Sequence, residues 1–309
     1  MSGQQTRTPV DDHVFLLGRP PIGEFLAFIR NMAVGGQNAD QGLLTQEWRH
    51  ANDHLAVLEK AEAGIADNPT IKPLPPAIQQ LANKVLTDPM FQKAYGSVPT
   101  EIAIVELDRL IVFQKFINLE FVHTIQNTLP SPVREEDIAR LALGLDSSLP
   151  QVQVMQTGPN IYSFVSASND FRFLEGALIN PSQVTGFVST GRPFAYIVLG
   201  VGYGSNYLNA LHVEDRLILN NGSHRAYALR DLGITHAPCL VQRVTRREEL
   251  ELVATGDVQQ NPDRYLKTSR PPLLKDYFDA KLRKVVQVPR KNRLVRVQFG
   301  YEQVDVPAT

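Results

Sequence analysis

The apolar positions along this chain change character near residue 99. Before that point they recur at helical spacing. Phe25, Leu26, Phe28, Ile29 and Met32 fall on one face of Gly23–Val34, behind Pro20-Pro21 and ahead of Gly35-Gly36. Trp48, Leu55, Val57 and Leu58 give an apolar face to a second helix over Thr45–Ala63. Asn68–Pro76 is proline-rich and reads as a connector, and a third helix follows around Pro76–Leu86. Met1–Asp12 is polar and reads as a short flexible tail.

From residue 99 the pattern favours strands. Glu101–Leu107 is β-rich and Leu110–Phe113 continues it. Asn118 is placed to cap a helix over Leu119–Leu129. Ser131-Pro132, with Glu135 and Glu136 behind, opens another helix that ends at Gly144. Val152–Met155 and Ile161–Val165 read as strands across the turn 156–160. Asn169-Asp170 predicts a capped helix over Phe171–Leu178, and Ala195–Leu199 a strand. Leu208–Val213 and Arg216–Leu219 pair as a hairpin across Glu214-Asp215. Ser223–Leu232 is a helix closed by Gly233, Ala237–Val244 a strand, and Thr245–Ala254 a helix with Thr245 and Glu248 as a capping box. Lys284–Val288 and Leu294–Phe299 close the chain as strands. The fold class is α+β. It divides into a mainly helical region 1–98, a mixed core 99–256 and a basic extension 257–309 packed on that core.

Composition narrows this little. With 309 residues, 43% hydrophobic and 20% charged, the chain can bury a real core. No apolar run reaches the ~18 residues of a membrane helix, so no membrane partner is expected. The one cysteine, Cys239, excludes an internal disulfide and a multi-cysteine metal site, and it reads as a core residue in a cytoplasmic protein. Charge is unevenly spread. Arg264–Arg296 carries eleven Lys/Arg against Asp276 and Asp279, a net +9, while the remaining 20 basic and 30 acidic residues give −10. Such a segment either meets an anionic partner or packs on the chain's own acids.

The candidate chemistry lies in Leu217–Gln242. An apolar strand ends in Asn220-Asn221-Gly222, and a helix starts at once with Ser223-His224-Arg225. Asparagine and glycine tolerate the left-handed backbone a tight turn needs. The first N–H groups of a helix have no intrahelical partner and point outward, so an anion there gains hydrogen bonds and a favourable dipole. Ser223 is placed to cap the helix or donate to a phosphate, and Arg225 carries paired planar donors. His224 and Arg225 oppose the dipole as cations, which argues for a compensating anion. The bland alternative is an ordinary turn with a serine cap.

Strand, Gly-x-His-Arg, Ala-rich helix, Leu-Gly, proline and closing strand together resemble the ParB/sulfiredoxin superfamily over Leu217–Gln242. The resemblance implies that Asn221, Gly222, Ser223, His224 and Arg225 hold the phosphates of a nucleotide, with Mg²⁺. It implies phosphoryl transfer or nucleotide hydrolysis if the protein is catalytic. Sulfinic acid reduction needs a cysteine where Ser223 stands. Residues 255–309 lack a helix-turn-helix pattern, so sequence-specific DNA binding is not expected.

Other residues are weighed beside these. Glu106, Asp108 and His224 are the candidate catalytic bases. Gly200–Ser205 imitates a dinucleotide loop, but Ser205 stands where its third glycine belongs. A flexible loop whose Ser205 and Asn206 reach a ligand is the better reading. His50 and His54 are spaced i, i+4 but lack the metalloprotease pattern, so no metal site is assigned. The alternative function is a non-enzymatic interaction or scaffold protein, with a protein partner or self-association, in which the Gly222–Arg225 turn is structural.

Overall fold

The computed structural model describes residues 9–18, 20–145 and 149–307. In chain order its first half holds β1 (Val10–Leu16), α1 (Ile22–Met32), α2 (Gln41–Ala61), β2 (Ile71–Lys72), α3 (Pro76–Leu86), α4 (Pro89–Tyr95), β3 (Thr100–Glu106), β4 (Phe116–Asn118), α5 (Leu119–Gln126) and α6 (Glu135–Ala142). There follow β5 (Val152–Gly158), β6 (Ile161–Ser166), β7 (Phe171–Ile179), β8 (Tyr196–Tyr203), β9 (Asn209–Val213), β10 (Arg216–Asn221), α7 (Ser223–Asp231) and β11 (His236–Val244). The short α8 (Leu250–Val253), α9 (Gly256–Gln260) and α10 (Asp263–Leu266) lead to β12 (Arg283–Pro289) and β13 (Arg293–Gln298). The fold is α+β, with helices through its N-terminal part.

The described residues form two compact units, and both are discontinuous in sequence. One holds the residues before 148 together with Ser205–Arg290; the other holds those up to Gly204 and those from Lys291 on. This division differs from the expected 1–98, 99–256 and 257–309. The reason is long-range pairing. β1 runs antiparallel to β12 over its whole length, Val10 opposite Pro289 and Leu16 opposite Arg283, and it also pairs with β4. The polar-looking start therefore contains a strand from Val10 onward, while residues 1–8 lie outside the described residues.

The larger unit carries a second sheet in the order β10-β9-β11-β3-β2. Its pairs are antiparallel except β11 with β9. The β9–β10 hairpin turns at Glu214 and Asp215, both with positive φ, the backbone that matches the strand twist. Alternate residues of this sheet, α5, α7, β1 and β4 share one core that includes Val14, Ile117, Val122, Leu217, Leu219 and Leu229. Ala226 and Ala228 are fully buried in α7, and such small side chains let the helix backbone approach closely. Cys239 lies in the same core, as expected, and burial pushes its thiol pKa up.

Caps account for several helix starts. Asp40 accepts from Gly42 and Leu43 N–H at 2.7 and 3.1 Å and starts α2 earlier than Thr45. Asn118 accepts from Phe121 N–H at 3.0 Å and starts α5 where expected. Thr245 N–H donates to Glu249 rather than Glu248, and the helix there shortens to a 3-10 turn and α8.

The basic stretch is largely met by acids of the same unit. Arg270 binds Glu62 and Asp276, Lys275 binds Glu62, Lys284 binds Glu47 and Arg290 binds Asp11. At these positions the charge asymmetry is internal packing. His54 Nε2 donates to Asp279 at 2.8 Å, a contact made without His50.

The smaller unit is a three-stranded sheet, β13-β6-β5, and a two-stranded ribbon, β7-β8. Residues 171–178 were expected to be a helix and are a strand. Phe171 pairs with Tyr203 and Ile179 with Tyr196, and this cross-chain ladder overrides a local cap signal at Asn169-Asp170. Gly200–Tyr203 lies inside β8, so the glycine-rich segment is strand rather than loop.

Candidate functional site

The strand–turn–helix expected at 217–232 is present. β10 delivers Asn220 and Asn221 to a turn, Gly222 sits at φ 90, and α7 begins at Ser223. A Cβ on Gly222 would stand 3.0 Å from Leu208 Cα, so both the angle and the space require glycine. Gly222 is the N-cap residue and no side chain caps α7. Ser223 is thus the first helical residue and not the cap that the sequence suggested. Helices α2, α4 and α5 all begin on an Asp or Asn that accepts a first-turn N–H; α7 does not.

The two asparagines do different work. Asn220 is a brace: its amide donates to Asn209 Oδ1 at 3.0 Å and Val253 O at 2.9 Å, and its oxygen accepts from Thr255. Asn221 stays exposed, accepts from Gly222 N–H at 2.8 Å and donates to Ser205 O at 3.3 Å. Ser205 donates to Tyr95 Oη at 3.0 Å. Ser205 is therefore brought to the turn through Asn221, and Asn206 follows it in the chain.

His224 differs from expectation in charge. Its Nε2 accepts the backbone N–H of Asn118 at 3.1 Å, and its ring meets Phe121 edge-on at 5.2 Å. Burial first, then the positive charges of His13 and Arg225, lower its pKa to about 4. The ring is neutral at pH 7, with its proton on Nδ1 because Nε2 is an acceptor. The expected pair of cations at the helix start is one cation, Arg225. That side chain is buried, with 6% of its surface exposed.

The other proposed bases lie elsewhere. Asp108 binds Arg230 at 2.5 Å, and Glu106 stands opposite His236 in the β3–β11 ladder. Arg230 is seven residues beyond Ser223, about 10 Å along the helix axis. Both carboxylates belong to the far end of α7, and neither sits at its start.

Sequence reading missed the residues that do surround His224. His13 stands opposite Asn118 in the β1–β4 pair. Asn118 donates to Asp11 at 2.9 Å, and Asp11 also holds Arg290 at 2.6 Å. Burial raises the Asp11 pKa, but the hydrogen bonds from Arg290 and Asn118 outweigh it and hold the carboxyl below its usual range. Burial lowers His13, and its Nδ1 is enclosed without a hydrogen-bond partner among the described residues. The only local signal was the short apolar run Val14–Leu16, just beyond the Met1–Asp12 segment taken as a tail. Among the described residues no three His, Cys, Asp or Glu side chains are grouped to hold a metal ion.

No protein-family model, curated protein or solved structure matches this chain.

Proposed function

We propose that this protein binds a phosphate-bearing ligand, a nucleotide with Mg²⁺ in the leading form, at the start of α7. The observation that carries the reading is the uncapped helix start on Gly222 with Arg225 in its first turn. First-turn amides without a capping side chain favour an anion, and the arginine supplies the charge to hold it. Neutral His224 keeps Nδ1–H as a donor, and Ser223 adds a hydroxyl. Asn221 is exposed at the turn and bonds to Ser205 O, and Asn206 follows Ser205 in the chain. The order β10–turn–α7–β11 supports the ParB/sulfiredoxin-like assignment, in which Gly222 to Arg225 hold nucleotide phosphates in a cytoplasmic protein. Phosphoryl transfer or nucleotide hydrolysis is the reaction class this would serve, with Arg225 and the helix amides stabilising phosphate charge. Neither Glu106 nor Asp108 is then the base.

Calorimetry against CTP, ATP and ADP with Mg²⁺ tests the reading. Binding that is lost in Arg225→Lys, with the fold intact by circular dichroism, supports it. No heat with any nucleotide or with inorganic phosphate overturns it. The alternative, a non-enzymatic interaction protein in which the turn is structural, is favoured by one observation: Arg225 is buried and His224 is bonded to Asn118. It expects Ser223→Ala and Arg225→Ala to change stability and no binding.

A further inference from the structure

The β7–β8 ribbon is anchored at one end and bare at the other. At its base Phe171 is buried, and its ring meets Tyr203 at 5.2 Å. Tyr203 Oη is bonded to Pro150 O at 2.8 Å and to Ser166 Oγ at 2.7 Å, which ties the base to β6. The ladder then runs from Phe171–Tyr203 to Ile179–Tyr196, roughly 25 Å of strand. Exposure rises along it. Phe173 shows 49% of its surface, Leu178 71% and Ile197 78%, and in the connecting segment Val188 shows 92% and Phe194 95%. Both faces of this far end are apolar. Leu178 and Ile197 pair on one face. Ala177 pairs with Val198 on the other, where Phe187 meets Tyr196 edge-on at 5.9 Å and stays 63% exposed.

We propose that the far end of this ribbon inserts into the surface of an anionic phospholipid bilayer. Two arguments select lipid. The first is shape. Apolar side chains scattered singly over a surface are ordinary, but these converge on one end of a ribbon. A protein partner laid on one face leaves the other face in water, whereas a bilayer surrounds both. Interfacial segments enter the headgroup region by ~5–10 Å, a depth that the last third of the ribbon supplies. The second is charge. Gly176–Gly204 contains no Asp or Glu, and its one charged residue is the exposed Arg192, two residues before Phe194. A negatively charged leaflet attracts that arginine and meets no carboxylate. Beside β7, β13 adds the exposed Arg293 and Arg296, and Arg293 donates to Asn169 O at 3.0 Å. A surface contact of this kind needs no spanning helix. It therefore differs from the expectation of no membrane partner, which rested on helix length alone. It does not depend on the ligand at α7.

Flotation of the full chain with vesicles of phosphatidylcholine and phosphatidylserine, mixed at about 3:1, reads the contact directly. The expected result is co-flotation. Phe187→Ser with Phe194→Ser, which leaves both strands untouched, should weaken binding at least roughly ten-fold. Arg192→Gln should weaken it about five-fold. Both variants should keep the native circular dichroism spectrum. A second readout needs no loss of binding. Cys239 is buried, so Val188→Cys adds the accessible thiol for a polarity-sensitive dye, whose emission should move to shorter wavelength when vesicles are added. No flotation with these vesicles overturns the proposal. So does flotation that either variant retains in full. A dye at position 188 that is already shielded without vesicles, by a second copy or another protein, also overturns it.

Discussion

The backbone N–H of Asn118 donates to Nε2 of His224 at 3.1 Å, joining the cap of one helix to the first turn of another. Asn118 is the N-cap of α5 and His224 is the second residue of α7. A protonated imidazole cannot accept that bond. The contact therefore holds only while His224 is neutral.

A pH dependence follows. The His224 pKa is about 4 in the fold against 6.5 in the unfolded chain. Between those values the unfolded state binds the proton and the folded state does not, so stability rises with pH through this window. The contribution is complete above about pH 6.5 and is lost as pH falls towards 4, at most about 3 kcal/mol. His13, whose pKa is also lowered, acts in the same direction. Urea midpoints at pH 7 and pH 4.5 should differ more for the native chain than for His224→Gln. Equal differences would show that His224 does not titrate this way.

Gly222→Ala tests the turn itself. At φ 90, with Leu208 Cα 3.0 Å from the added Cβ, alanine is both strained and crowded. The expected loss is about 1–3 kcal/mol of stability, measured by thermal or urea unfolding. Ligand heat at α7 should fall with it, because the first-turn amides are aimed by this residue. Gly233→Ala, at φ 81 with open space around it, should cost less and leave that heat alone.

Arg270 is the most deeply buried charge among the described residues, 1% exposed, and it holds Asp276 at 2.9 and 2.6 Å and Glu62 at 2.9 Å. Asp276→Ala should cost about 3–5 kcal/mol, because it strands a buried guanidinium. Arg270→Met with Asp276→Leu should cost less than that single change, since the buried pair is replaced by apolar groups and Glu62 keeps Lys275 as its partner. Chemical denaturation of the three chains gives the comparison. A double variant less stable than Asp276→Ala would count against this view of the pair.

Much of the larger unit was legible because its signals are local. Asn118 capped its helix, Glu214-Asp215 turned its hairpin, and Gly222 broke β10 from α7. The errors fall where distant partners decide. Residues 171–178 carry a cap-like Asn-Asp and a helical composition, yet Tyr196–Tyr203 draws them into a ladder. Val10–Asp12, the end of the segment read as a polar tail, is strand because β12, far along the chain, pairs with it. The site followed the same rule. The turn at Asn221-Gly222 was legible from sequence, because turn chemistry announces it. The charge of His224 was not, because it depends on burial and on His13, which no local pattern links to it. Nor was the separation of Glu106 and Asp108 from the turn, which a helix length imposes.

The pairing of Val10 with Pro289 sets a condition on synthesis. A chain emerging from the ribosome at ~5–20 residues per second exposes β1 well before its antiparallel partner β12. Until β12 emerges, β1 lacks the strand that pairs with its full length, and an unpaired edge invites wrong neighbours. The loop that must close runs from Leu16 to Arg283, so folding of the larger unit waits until β12 has emerged. Chaperone protection of the nascent β1 would then matter more to the yield of this protein than the stability of any one of its helices.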